Sequence, residues 1–342
     1  MYVLKLIVLY TAKLFGLFHL SRRLTRKGLR IICYHGVEMD DESSFRPSLF
    51  MSSKKFSRRM EYLSRKKYPV LDLACGVELL KGDHLPDNAV VITFDDGWCG
   101  FYDKALEVLQ KKLYPVTVYV TTYYCVKREP IFSLFVQYVF WKTQTKRIDL
   151  GMLGGEQGKI VDLTIPEKRE HAIYIINGLY ELMDESKREQ LAEKLCELLE
   201  LDIDQLRRKE IMCLMSPQQV KEIADQGVDI QLHTHRHRFS ENPGLAKDEI
   251  TDNKNVLEPL LGKELTHFCY PSGFWRKEHW DMLRASGIQS ATTCDPGFNY
   301  KDTPELALNR FLDGEHIRQI QFEAEVSGFN EFLRAGRRLF VR

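Results

Sequence analysis

Two adjacent carboxylates, Asp95 and Asp96, follow the apolar run Ala89 to Phe94, and two histidines four residues apart, His233 and His237, follow the run Val228 to Leu232. Neighbouring carboxylates at the end of a buried strand repel each other, so their burial calls for a cation or a proton. Two imidazoles and one carboxylate form a ligand set that suits Zn²⁺ and leaves a position for water. Such a cation lowers the pKa of water, and the spare carboxylate can then take the proton. This chemistry hydrolyses an amide or an ester. An Asp-Asp pair alone is as readily a structural turn, and the histidines at a second strand end favour the metal reading.

These residues need elements that bring their ends together. Leu29–Val37, Ala89–Phe94, Pro115–Thr122, Val228–His235, Thr266–Gly273, Ile288–Thr293 and 306–312 read as short extended segments, most of them apolar and β-branched. Helical spacing separates many of them, as in Phe56–Arg65, Tyr102–Lys112 and Asp248–Leu261. Strand, helix, strand in this order predicts a parallel α/β sheet whose functional face lies at the C-terminal strand ends. Ser216-Pro217 with Gln218 and Gln219 reads as the start of a helix over 217–226 that Gly227 ends. Residues 126–215 break the rhythm and read as a mainly helical insertion, with a long charged stretch of helical period over 167–201.

The bulk properties narrow the class. The chain has 342 residues and a net charge of +1, which gives no electrostatic footprint for nucleic acid. Eight cysteines without a CxxC pair read as buried free thiols rather than a disulfide framework. They favour a cytoplasmic or membrane-peripheral protein, with export as the alternative. The apolar stretch Leu6–Ala12 is too short to span a bilayer, and a basic segment follows from Arg22 to Arg30. Residues 1–28 therefore read either as an amphipathic helix on an anionic membrane surface or as a helix packed on the body.

Thr93-Phe94-Asp95-Asp96-Gly97 resembles the first motif of the polysaccharide deacetylase family, carbohydrate esterase family 4 with the NodB-homology domain. His233-Thr234-His235-Arg236-His237 is similar to its second motif and Tyr270-Pro271-Ser272-Gly273 to its third. Tyr34-His35-Gly36-Val37 resembles the opening strand of a branch acting on poly-N-acetylglucosamine-type substrates. The resemblance implies a distorted (β/α)7-type barrel over 29–312, interrupted by the insertion at 126–215, with residues 313–342 as a C-terminal tail. It implies that Asp95 is the general base and that Asp96, His233 and His237 bind a divalent metal. The backbone N–H of Ser272 would hold the oxyanion, and Thr234 would hydrogen-bond within the histidine loop.

Two positions depart from the family pattern. Cys269 stands where the third motif usually has arginine, and Arg310 stands where the last motif has the histidine that protonates the leaving amine. His35 is then the candidate acid or substrate contact, with a structural role as its other reading. Tyr270, Pro271, Gly273 and Trp98 are the candidate substrate contacts, with core packing as the other reading for Trp98. The implied substrate is an N-acetylated glycan, deacetylated by hydrolysis of a non-peptide carbon–nitrogen bond. The alternative is a catalytically inactive glycan-binding protein of the same fold.

Overall fold

The computed structural model describes residues 2–128, 130–154, 160–183 and 185–340. Residues 129, 155–159 and 184 of the expected insertion lie outside that description, as do 1, 341 and 342 at the ends. Seven short strands build the centre: β1 (Arg30–Tyr34), β2 (Val90–Phe94), β3 (Thr117–Val120), β4 (Asp229–Leu232), β5 (His267–Cys269), β6 (Ser290–Thr292) and β7 (Phe311–Leu312). All pair in parallel, in the order β6-β5-β4-β3-β2-β1-β7. A further short strand, Val70–Leu71, pairs with β2 off this path.

Parallel neighbours require a crossover connection, so each strand's return runs over the outside of the sheet. The sheet curls until Leu308, just before β7, pairs with Thr292 of β6. The result is the distorted (β/α) barrel that the sequence implies, its last gap bridged by one residue pair. Every residue of β1 and β2 is buried, which is why both read as continuous apolar runs rather than alternating ones.

Strand register positions the site. Tyr34 pairs with Phe94, so His35 and Asp95 leave adjacent strands at the same level. Leu232 pairs with both Val120 and Phe268, which sets His233 between Thr121 and Cys269.

Seven helices matter below: α1 (Tyr2–Leu14), α2 (Leu17–Leu24), α3 (Ser53–Arg65), α4 (Pro217–Asp225), α5 (Pro243–Leu261), α6 (Gln319–Val326) and α7 (Phe329–Phe340). At α4 the sequence signal is realised as a capping box. The Ser216 hydroxyl accepts from the Gln219 N–H at 3.1 Å, and the Gln219 side chain accepts from the Ser216 N–H at 2.8 Å. The stretch of helical period over 167–201 forms two helices, Pro166–Glu181 and Glu185–Leu198. With Phe132–Lys142 and a small antiparallel hairpin they enclose a second apolar core around Val136, Phe140, Ile176 and Leu195.

The reading of 313–342 as a tail is corrected. Ile320, Phe322, Ala324 and Val326 of α6 are buried, and α6 packs on α1. Asp313 forms an ion pair with Arg59 of α3, and neither side chain is exposed. The sequence hides this because Glu323 and Glu325 make α6 look like a surface helix. They are buried too, against Lys13 of α1 and Arg334 of α7.

Candidate metal and catalytic site

Four residues at the C-terminal strand ends hold a left-handed backbone without being glycine: Asp96 (φ 71°), Thr234 (φ 65°), His237 (φ 55°) and Ser272 (φ 56°). Each such position costs on the order of 1–3 kcal/mol and persists where surrounding structure over-determines it. Gly97 follows at φ 89°, where no side chain has to be accommodated. The strain gathers three chain segments around one point.

At that point lies Asp96. Its Oδ1 is buried and has no hydrogen-bond partner among the described residues. The Nε2 atoms of His233 and His237 stand 3.3 Å and 3.4 Å from it. These ligand atoms lie within 4.8 Å of one another. Asp96 and His233 are oriented from behind. His233 Nδ1 lies 2.8 Å from the Cys269 carbonyl, so the proton sits on Nδ1 and the Nε2 lone pair faces Asp96. Trp98 Nε1 donates to Asp96 Oδ2 at 2.8 Å. The N–H of His233 donates to Asn253 Oδ1 at 3.0 Å, and the Asn253 amide donates on to Val120 and Thr122. Burial works to raise the Asp96 carboxyl, but the two imidazoles beside it outweigh burial and hold the group well below the usual carboxylate range.

Asp95 is held differently. Arg310 grips it bidentately, Nη1 to Oδ1 at 2.7 Å and Nη2 to Oδ2 at 2.8 Å. The thiols of Cys33 and Cys269 also approach Oδ2, at 3.4 Å and 3.5 Å. Burial would raise this carboxyl as well, and Arg310 overrides it and keeps Asp95 ionised. Arg310 Nη2 touches the Cys269 sulfur at 3.1 Å. Cys269 and Arg310, the two positions that depart from the family pattern, thus meet beside Asp95.

The remaining predicted residues separate into groups. His35 joins the site, with Nε2 3.8 Å from Asp95 Oδ2 and its Nδ1 buried without a partner. The exposed Ser272 sits on the third loop, and its N–H has no hydrogen-bond partner among the described residues. Gly273, at φ 70°, faces Cys294 so closely that a Cβ would lie 2.5 Å from the Cys294 Cβ.

Three substrate candidates are corrected. Trp98 is only 2 % exposed and packs edge-on to Phe50, so its ring offers no face to a sugar and instead steers Asp96. Tyr270 is buried in the barrel core with its hydroxyl on the Leu306 carbonyl. Pro271 is buried as well. Tyr270 and Pro271 thus turn their side chains into the body. Thr234 also differs from expectation, since its buried hydroxyl has no partner. His235 turns away from the ligands to Thr122, at 2.8 Å.

Sequence reasoning missed Asn253 and the roles of Cys33 and Arg310. Only Arg310 left a signal, as a departure from the family pattern.

A curled parallel barrel with aspartates and histidines converging at its C-terminal rim defines a hydrolase of the NodB-homology type. The family model for polysaccharide deacetylases matches residues 82–149 and 180–291, more than half of the chain, and the chain belongs to this family. Among curated proteins, YxkH of Bacillus subtilis (strain 168), named as a polysaccharide deacetylase, is 28% identical over 98 residues. That match covers 28% of this chain and about a third (35%) of YxkH.

Among solved structures, the fold is similar to the Streptococcus pyogenes deacetylase PplD in complex with acetate, with TM-score 0.56 and 17% identity over 87% of this chain and 98% of the other. It is also similar to IcaB from Ammonifex degensii, with TM-score 0.54 and 18% identity over 88% and 97%. A de-N-acetylase from Aggregatibacter actinomycetemcomitans gives TM-score 0.54 and 13% identity over 86% and 98%.

Proposed function

We propose that this protein is a metal-dependent deacetylase that hydrolyses the N-acetyl amide of amino sugars in an N-acetylated glycan. One observation carries the reading: the buried, unpartnered Asp96 Oδ1 facing two imidazole nitrogens, with a second ionised carboxylate beside it. An unsatisfied buried acceptor costs ~1–3 kcal/mol, more when charged, and a cation removes that cost. The donor set therefore fits a divalent metal, Zn²⁺ by ligand type, held by Asp96, His233 and His237. When bound there it would act as a Lewis acid toward the acetyl carbonyl and acidify water.

The chain's own groups supply the rest. Asp95 takes the proton from the attacking water. Its Oδ1 accepts from Arg310 alone, whereas Oδ2 faces Arg310 and two thiols. Arg310 fixes the direction of that carboxylate and keeps it ionised. The Ser272 N–H donates to the tetrahedral oxyanion, a task for a preorganised donor rather than a particular side chain. His35 delivers a proton from Nε2 to the leaving amine.

One observation favours the glycan-binding alternative: both Asp95 oxygens are engaged by Arg310, as in a purely structural ion pair. Acetate release from N-acetylglucosamine oligomers separates the two. The wild type should release acetate, and Asp95→Asn should slow release by ~10²–10⁴-fold, the usual contribution of a general base. Glycan binding without any acetate release across a panel of N-acetylated oligomers would establish the alternative.

A further inference from the structure

The outer face of the N-terminal helices is built against the usual rule for a surface. Helix α1 buries Leu6, Leu9 and Ala12 against Phe18, Ile320, Ala324 and Phe329. Its opposite face is apolar as well: Val3, Leu4, Ile7, Val8, Leu14 and Phe15 are all exposed. Helix α2 continues this face with Leu17, Leu20 and Leu24, and Phe332 and Leu333 of the adjoining α7 are exposed too. Of 21 exposed large apolar side chains among the described residues, 10 fall within residues 3–24, so they form a patch rather than a scatter.

The charge carried by the segment that bears the patch has one sign. No acidic residue precedes Glu38 in the sequence. Lys5 and Arg23 are exposed and enter no ion pair among the described residues. Arg26 and Lys27, also exposed, share the single carboxylate of Asp87.

The shape suits a surface. No helix among the described residues is long and apolar enough to cross a membrane, and α1 and α2 are bent by 77° at their junction. A 13-residue helix is ~20 Å long, against a hydrocarbon core of ~30 Å.

We propose that α1 and α2 dock the protein onto a bilayer surface bearing anionic headgroups. The exposed apolar face enters the acyl boundary, and Lys5, Arg23, Arg26 and Lys27 meet the headgroups. The sequence read as one amphipathic helix is two, and apolarity on both sides of α1 is what lets it hold the body and the bilayer together.

Flotation of the full chain with vesicles tests this. Ile7 and Leu14 are 56 % and 83 % exposed, so an acidic residue at either leaves the core untouched. The wild type should float with phosphatidylglycerol-containing vesicles, bind pure phosphatidylcholine far more weakly, and release as salt rises. Ile7→Glu/Leu14→Glu should abolish flotation while an unchanged thermal unfolding midpoint shows the fold intact. Lys5→Ala/Arg23→Ala should weaken anionic-vesicle binding ~10-fold or more, at roughly fivefold per basic side chain. Equal flotation of the Ile7→Glu/Leu14→Glu variant, or no flotation of the wild type, would overturn the proposal. So would a wild-type dimer that the same double variant dissociates, since a second copy would then be the occupant.

Discussion

Two buried arginine–carboxylate pairs hold this barrel, and they are not alike. Arg59 and Asp313 meet through Nε to Oδ2 at 2.8 Å and Nη2 to Oδ1 at 3.2 Å. Arg59 also donates to Gln319 and to the Ile317 carbonyl, and Asp313 accepts from the Gly314 N–H. Burial raises the Asp313 carboxyl in spite of Arg59. Arg310 and Asp95 are equally buried, yet Asp95 is held well below the usual range. Their neighbours include two polar atoms without partners, Asp96 Oδ1 and His35 Nδ1. A buried ion pair is therefore no mark of function by itself. The mark is a pair beside a cluster of candidate metal ligands and strained backbone.

This contrast can be broken or sharpened by mutation. Arg59→Met should cost ~3–5 kcal/mol of unfolding free energy, because it strands the Asp313 carboxylate. Chemical denaturation reads this out. Adding Asp313→Leu should restore most of the loss while acetate release stays near wild type. If the double variant loses activity, the two pairs are not functionally distinct.

A smaller effect is expected at Arg310→Lys, which keeps the charge and gives up the fork. The base then loses its fixed direction, and kcat should fall ~10²-fold, as misplacement of a reacting group does. Metal content should not change. A normal kcat in this variant would remove Arg310 from the account.

Trp98→Phe should have the smallest effect. It deletes the donor to Asp96 Oδ2 but keeps the ring against Phe50. Loss of such a supporting hydrogen bond weakens metal affinity ~10–100-fold. Titration against a competing chelator measures it. Unaltered affinity would return Trp98 to a packing role.

What the sequence disclosed follows from chain distance. Asp95, Asp96, His233 and His237 stand at the ends of apolar runs, and strand, motif and turn are all local. The seven strands were legible for the same reason. Arg310 reaches Asp95 across 215 residues, and only closure of the ring brings them together. Asn253 lies mid-helix in α5, where an asparagine gives no sign that it faces inward to hold His233. The third motif marked a loop but not the directions of Tyr270 and Pro271, which depend on packing against β6 and the segment before β7. The C-terminal segment misled because its acidic residues find their cations on other helices.

The central claim is that Asp96, His233 and His237 form a divalent-metal site. The most direct measurement is the metal content of the wild type and of His233→Ala after equilibration with Zn²⁺ and exhaustive dialysis. The account predicts stoichiometric metal in the wild type and its loss in His233→Ala, with both proteins folded. Equal metal in the two, or none in the folded wild type, would contradict it.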